Sequence, residues 1–458
     1  MSDLRIICEN AATLLIGQLA IIAFGITDTI VAGRYSVEAL ACLSVGSAIY
    51  ISVYVSLMGI MQALLPIWSE LFGAKKYEHL GHSFRQSVYL CVVTGILGIT
   101  ILLSPGSLLE ATNVPEHLRS NVISYLSVLA AALPSALFFR IFSTLNQSIG
   151  KPHNVTNLQI GALALKVPLS IWFVHGGLGL EAQGVIGCAW ATFVVNNALM
   201  ILSFWTLKFI DLYRPLNLWK TFEKLDWLTL KGFLKLGVPA GISILIEVTS
   251  FTLMALFIAR MGEVPMASHQ ISASIAAAFY MIPLSLAISA SSRVSYWRGA
   301  GNEIKAIQSL MISLKITTLI GGVFALILVL FGNILAKAYS SDESVISLAT
   351  SMLVWIALYH FADAIQTICV FLLRCYKITV RPLIIYGVLL WGLGLAGGYQ
   401  IAYNPLGWEL SWHSPSAFWL SSSFALCLTA IAFLMLLLNV SKKDTNSKIR
   451  PIQESLTL

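Results

Sequence analysis

Twelve apolar stretches, each about 20 residues or longer, leave this chain few ways to fold. They fall at 10–33, 41–70, 86–109, 121–145, 155–175 and 185–208, and again at 236–259, 267–292, 306–336, 345–371, 383–403 and 417–440. A helix rises about 1.5 Å per residue, so some 20 residues cross the roughly 30 Å hydrocarbon core of a bilayer. In lipid the backbone must satisfy its own hydrogen bonds, and helices do this within one segment. The spacing therefore predicts an all-α polytopic membrane protein with twelve transmembrane helices. Composition agrees, with 57% hydrophobic and only 11% charged residues and a mean hydropathy of +0.83, where soluble domains carry about 25% charge.

The stretches form two sets of six around a polar, tryptophan-containing connector from about Lys208 to Lys235. The expected organisation is an N-terminal six-helix lobe at 1–210, a cytoplasmic connector at 211–235, a C-terminal six-helix lobe at 236–440 and a tail at 441–458. Short matches recur at a near-constant offset: Ala39 to Val45 over Met266 to Ser272, Gly73-Ala74 over Gly299-Ala300, and Lys151-Pro152 over Arg381-Pro382. With six spans per copy, both copies enter the membrane from one side, giving two lobes related by a parallel pseudo-two-fold repeat.

The charge of +7 is a matter of topology rather than of nucleic-acid binding, because Lys and Arg collect in alternate loops. With both termini on one side, that side holds 21 basic residues and the other holds four: Arg34, Arg119, Arg260 and Lys337. The positive-inside rule then places both termini in the cytoplasm. Only Arg140, Lys166 and Lys315 remain inside spans. No cleavable leader is read at 1–9, and the run that follows is long enough to stay as a span. Of the seven cysteines, Cys42, Cys91, Cys188, Cys369 and Cys427 fall in apolar runs without a CxxC pair, and read as small buried residues.

Three acids lie inside spans: Asp28 within GITDTIVAG (25–33), Glu247 and Asp363. A charge at the centre of a membrane helix costs roughly 2.5–3.5 kcal/mol on insertion scales, so each acid is a functional candidate by default. None falls on an acid when shifted by the repeat offset, which suggests specialised roles. Trp355, Tyr359, Asp363 and Gln366 are spaced by four, four and three and share one helical face. An acid among aromatic rings and an amide suits an organic cation; the plainer reading is a helix-packing face. Ser243, Glu247 and Ser250 share a face beyond Pro239, an oxygen-rich stripe suited to a hard cation or a proton. Gln18, Gly25 and Asp28 lie within about one face of the first span. Lys166, followed by Pro168, is costly in hydrocarbon unless paired. Two readings stay open for it: an ion pair with Asp28, or snorkelling to the interface.

Other groups point less far. His79 and His82 lie in a basic loop and read as solvated, while His269 and His360 read as single core hydrogen bonders. The sequons at Asn146 and Asn154 fall on the cytoplasmic side. No GxGxxG, Walker, HExxH or GxSxG motif is present, so neither ATP hydrolysis nor a membrane enzyme is expected.

The motifs resemble those of the multidrug and toxic compound extrusion family, in its bacterial NorM-like branch. They are DTIVAG (28–33), ALLPIWSELFGAKK (63–76), GKP (150–152), KVPLSIWFVHG (166–176), GVIGCAWAT (184–192), GVPAGISILIEVTSF (237–251), ASHQI (267–271) and YHFADAIQTICVFLLRCYK (359–377). The resemblance implies a two-lobe antiporter, acting as a monomer without a cofactor. Such an antiporter exports bulky, often cationic aromatic drugs, dyes and toxic compounds in exchange for Na+ or H+. It implies ion coupling at Glu247 and Asp363, which would hold Na+ in a sodium-coupled protein, and at Asp28 in the first lobe. Tyr359, Asp363, Gln366, Trp355, Asp28 and Gln18 are then substrate-binding candidates. Where NorM-like members commonly read N-x-P-L-N in the fifth span, this chain carries Lys166 and Ser170, which alters the surroundings of Asp28 and would tune it. The alternative within the wider superfamily, a lipid-linked oligosaccharide flippase, would be expected to show several cavity bases; only Arg140 and Lys166 qualify.

Overall fold

A computed structural model describes residues 2–111, 115–177, 179–220, 223–404 and 412–456, with the side chains of 107, 108 and 111 and those from 445 onward, including Lys448 and Arg450, outside the described set. Among the described residues twelve helices are long and apolar enough to cross a membrane. We label them α1 (Asp3–Tyr35), α2 (Val37–Gly73), α3 (Tyr77–Leu103), α4 (Glu116–Ser148), α5 (His153–His175) and α6 (Val185–Phe209). The second set is α7 (Trp227–Ala259), α8 (Glu263–Gly299), α9 (Glu303–Lys337), α10 (Glu343–Cys375), α11 (Val380–Tyr403) and α12 (Ser416–Asp444). Most of the helices overrun their apolar stretches, because a helix continues into the polar interface as long as its donors and acceptors remain paired. The third is an exception: it ends at Leu103, and a separate short helix, Gly106–Ala111, follows where the apolar run continues to 109.

Two helices are irregular. The second is broken at Ala63 into Val37–Gln62 and Leu64–Gly73. In α11 the stretch Gly387–Ala396 is π-helical between two α-helical turns, a wide winding that is rare and frequent at functional sites.

The chain resolves into two compact units, one of residues 12–241 and the other of residues 1–11 with 242–458. The sequence boundaries at 210 and 236 differ from this division for two physical reasons. First, the connector packs onto the first unit: Tyr213, Leu216 and Leu218 are buried in its core, and Tyr213 Oη donates to Asn146 Oδ1 at 2.6 Å. Gly81 is what lets the connector lie so close, since a Cβ there would sit 1.8 Å from the Leu216 carbonyl oxygen. Second, the start of α1 belongs to the second unit. Asp3 Oδ1 accepts from Arg293 Nε and Nη2 at 2.8 and 2.5 Å, and Asp3 Oδ2 accepts from Trp297 Nε1 and Ser309 Oγ at 3.1 and 3.0 Å. Ser289 Oγ adds a bond to the Ile7 carbonyl at 3.0 Å.

Each unit has a central helix. In the first, α4 packs against α2, α3 and α6; in the second, α10 packs against α8, α9 and α12. The outward faces stay apolar, with Leu319, Leu330 and Ile334 more than 60% exposed, while serines, threonines and charged groups line the interior. That arrangement inverts the habit of soluble domains and suits hydrocarbon as the solvent.

Candidate functional site: two acid centres

The first unit holds Asp28 at the interior of α1. Two contacts bring α1 onto α5: Gly17, where a Cβ would meet Gln159 Oε1 at 2.2 Å, and Thr156 Oγ1, which donates to the Thr13 carbonyl at 2.9 Å. Three turns further along, Lys166 Nζ lies 2.8 Å from Asp28 Oδ1, and Ser170 Oγ donates to the same oxygen at 3.1 Å. Lys166 is completely buried and also donates to Thr192 Oγ1 at 2.7 Å and the Cys188 carbonyl at 3.0 Å. All three ammonium N–H bonds thus have an acceptor. Of the two readings of Lys166, the geometry is that of the ion pair. Removing one member of a buried pair costs about 3–5 kcal/mol, because the other charge is left stranded. Gln18 lies ten residues before Asp28, about 15 Å along the helix, and is half-buried, away from this centre.

The second unit holds Asp363 and Glu247. Helix α10 starts at a sequence-encoded cap, with Asp342 Oδ1 accepting from Ser344 N at 2.8 Å and Val345 N at 3.4 Å. The cap lies outside the spans, and its hydrogen bonds from Ser344 and Val345 hold the Asp342 carboxyl below the usual carboxylate range. Six turns on, Asp363 is buried. Its Oδ1 accepts from Gln366 Nε2 at 2.7 Å and from Thr367 Oγ1 at 3.5 Å. Gln366 Oε1 in turn accepts from Tyr386 Oη of α11, and Tyr280 of α8 lies within electrostatic reach of both acids. Glu247, on α7, is half-buried and within electrostatic reach of Asp363 and of Arg374. Among the described residues no Lys or Arg forms an ion pair with either acid. Arg374, buried near the end of α10, has Nε and Nη1 without a hydrogen-bond partner.

Beside these acids stands an aromatic group from three helices. Phe251 meets Tyr359 edge-on at 5.8 Å between centroids, Tyr359 meets Trp419 at 5.6 Å, and Phe251 meets Trp419 at 6.1 Å. Trp419 Nε1 donates to His269 Nδ1 at 3.2 Å, which makes His269 a core hydrogen bonder. Trp355 enters this region through its backbone carbonyl, which accepts from Ser423 Oγ at 2.9 Å. Ser250 Oγ bonds back to the Ile246 carbonyl of its own helix at 2.7 Å rather than turning to Glu247. The same carbonyl accepts from Trp391 Nε1 of the π-helical stretch at 3.2 Å.

Sequence reasoning therefore located the acids, Tyr359 and Gln366 but not Phe251, Trp419, Tyr280, Tyr386 or Thr367. Only Thr367 carried a usable signal, four residues after Asp363 on the same face. Among the described residues no three His, Cys, Asp or Glu side chains cluster as a metal site. Two carboxylates among amide and hydroxyl oxygens suit a monovalent cation or a proton.

One expectation is corrected outside the membrane. His82 is not a solvated loop residue: it lies in α3, where Nδ1 bonds Glu223 and Nε2 lies 3.4 Å from Asp226 Oδ2. Arg85 Nη2 donates to Glu223 Oε1 at 2.5 Å. His82 and Arg85 hold the Glu223 carboxyl below the usual carboxylate range. Asn146, half of one sequon, is buried and bonded to Tyr213 and Asn154, so its amide is engaged in packing.

Among the described residues, twelve membrane-length apolar helices in two units define the class as an all-helical polytopic membrane protein. The chain belongs to the multidrug and toxic compound extrusion family: the MatE family model matches residues 14–172 and again 239–400, one match in each half. A relative from Aromatoleum aromaticum called a probable multidrug resistance protein NorM is 33% identical, covering 96% of this chain and 94% of its own. The multidrug resistance protein MdtK of Yersinia pseudotuberculosis is 28% identical over 95% of this chain and 94% of its own. Among solved structures, the eukaryotic MATE transporter AtDTX14 shares the fold at a TM-score of 0.85, with 17% identity and 98% of both chains covered. The Vibrio cholerae MATE transporter VcmN in its bent form does so at 0.83, with 16% identity over 96% of this chain and 98% of that one.

Proposed function

We propose that this protein is a multidrug efflux antiporter of the bacterial inner membrane, with both termini cytoplasmic. It exports bulky organic compounds, often cationic and aromatic, in exchange for Na+ or H+. The observation that carries this reading is the second-unit site, where Asp363 and Glu247 stand together beside Phe251, Tyr359 and Trp419. A pair of acids with no basic ion-pair partner among the described residues attracts a cation, and the half-buried ring of Phe251, backed by the buried rings of Tyr359 and Trp419, supplies a surface for an aromatic one.

Exchange then follows from competition. A Na+ ion or proton at the acids removes the negative charge that holds a drug cation, so each ligand lowers the affinity for the other by the same factor. Gln366, fixed by Tyr386, orients Asp363 for either ligand. Asp28 is the acid of a second, unequal centre that Lys166 and Ser170 tune. The flippase alternative is weakened because Lys166, one of its two candidate bases, is already neutralised by Asp28.

The test is dye efflux in inverted membrane vesicles under separately imposed Na+ and H+ gradients. Transport driven by at least one of them, and lost in Asp363→Asn with the protein still in the membrane, is expected. Transport that follows neither gradient would sink the antiporter reading.

A further inference from the structure

The buried ammonium of Lys166 stands in a seat that looks built for a cation. Its acceptors come from two other helices: the Asp28 carboxylate on α1, and the Thr192 hydroxyl and Cys188 carbonyl on α6, at 2.8, 2.7 and 3.0 Å. One acid, one hydroxyl and one carbonyl make a hard-oxygen donor set. The seat is also braced independently of the lysine. Thr192 Oγ1 donates to the Cys188 carbonyl at 2.9 Å, Ser170 Oγ donates to Asp28 Oδ1 at 3.1 Å, and Cys188 Sγ approaches the Asp28 carbonyl at 3.9 Å.

The geometry points to a primary-ammonium binding site in the first unit that the chain fills with its own Lys166. While the pair holds, Asp28 is charge-balanced from within and takes no ion from solution. The ligand class follows from the acceptors. Three divergent N–H donors satisfy three oxygens, whereas a quaternary ammonium offers no donor and a larger head. Tethering the ammonium to α5 gives it an effective concentration that a free ion does not match, so the site stays hidden in the native protein. A consequence for transport is that the ion load of each cycle is set by the second unit alone.

Shortening the lysine exposes the site. In Lys166→Ala the atoms removed beyond Cβ are three carbons and a nitrogen, the heavy atoms of n-propylammonium. The experiment is thermal unfolding of the purified full-length protein, titrated with n-propylammonium chloride and, at equal ionic strength, tetramethylammonium chloride. The melting temperature of Lys166→Ala should rise with n-propylammonium as a ligand binding the folded state requires. Tetramethylammonium should have no effect on it, and n-propylammonium none on the wild type or on the Asp28→Asn/Lys166→Ala double variant. Equal shifts in wild type and variant, or no response of the variant, would overturn the assignment. If Lys166→Ala does not accumulate in the membrane, Lys166→Met retains the stem and vacates only the seat of Nζ. The ammonium ion is then the probe, with the same outcomes expected. Because nothing is transported in this measurement, its result is independent of whether Glu247 and Asp363 couple ions.

Discussion

The two acid centres solve the same physical difficulty in opposite ways. In the first unit a carboxylate in a membrane helix is neutralised by a lysine whose three donors are all used. In the second, Asp363 and Glu247 stand near each other with amide, hydroxyl and aromatic neighbours and no basic ion-pair partner among the described residues. A closed centre stabilises its unit and holds a helix in place. An open one keeps an unmet electrostatic demand, which is what a mobile cation answers. The difference teaches that an intramembrane acid marks a site without saying whether the site is available.

The largest effect should come from the open centre. Asp363→Asn removes the charge that a drug cation and a coupling ion share, so efflux in vesicles should fall to the level of membranes lacking the protein. Equal losses from Asp28→Asn/Lys166→Met, with the folded protein retained, would erase the distinction between the centres.

Stability should separate them in the other direction. Lys166→Met alone leaves the buried Asp28 carboxylate unpaired and should cost about 3–5 kcal/mol, read as a lower melting temperature in detergent. Adding Asp28→Asn should recover most of it, whereas Asp363→Asn should leave the melting temperature unchanged or raised. A loss as large in the double variant as in the single one would show that the pair is not held together by charge.

A smaller effect is expected at the aromatic wall. Trp419→Ala or Tyr359→Ala should weaken binding of an aromatic cation by roughly 0.5–2 kcal/mol, seen in a dye-binding titration. Tyr359→Phe keeps the ring and should bind nearly as well. Loss of binding in Tyr359→Phe would shift the weight from the ring to the hydroxyl.

The smallest concerns the connector on the first unit. Because His82 and Arg85 lower the Glu223 carboxyl, its contribution is complete above the unfolded value, about 4.3, and is lost as pH falls through the lower folded value. Glu223→Gln should therefore raise protease sensitivity around 223–226 at neutral pH. Acidification should do the same to the wild type only below about pH 4. Sensitivity that already rises near pH 6 would point to a group other than this carboxylate.

Much of the architecture was legible in the sequence because lipid restricts the choice to helices of near-fixed length. Asp28, Glu247 and Asp363 stood out for the cost of a charge in hydrocarbon. The same cost singled out Lys166 and suggested its partner, although 137 residues lie between them and pairing could only be tested by structure. The rest left no local trace. Asp3 meets Arg293 across a sequence separation of 290, so nothing near residue 3 announces that the start of α1 belongs to the second unit. Phe251 and Trp419 read as ordinary apolar residues of their spans until α7, α10 and α12 bring them together. His82 looked solvated because its partners, Glu223 and Asp226, lie in the connector some 140 residues on. The π-helical turn of α11 has no periodicity by which to read it.

The most direct test of the contrast is drug affinity, measured on purified protein while Na+ and H+ are varied in turn. With Asp28→Asn/Lys166→Met, drug affinity should still fall as the coupling ion rises, by the same factor as in the wild type. With Asp363→Asn it should be flat. A flat response in the first variant and a native one in the second would contradict the account, and would move the coupling ion to the centre that Lys166 now fills.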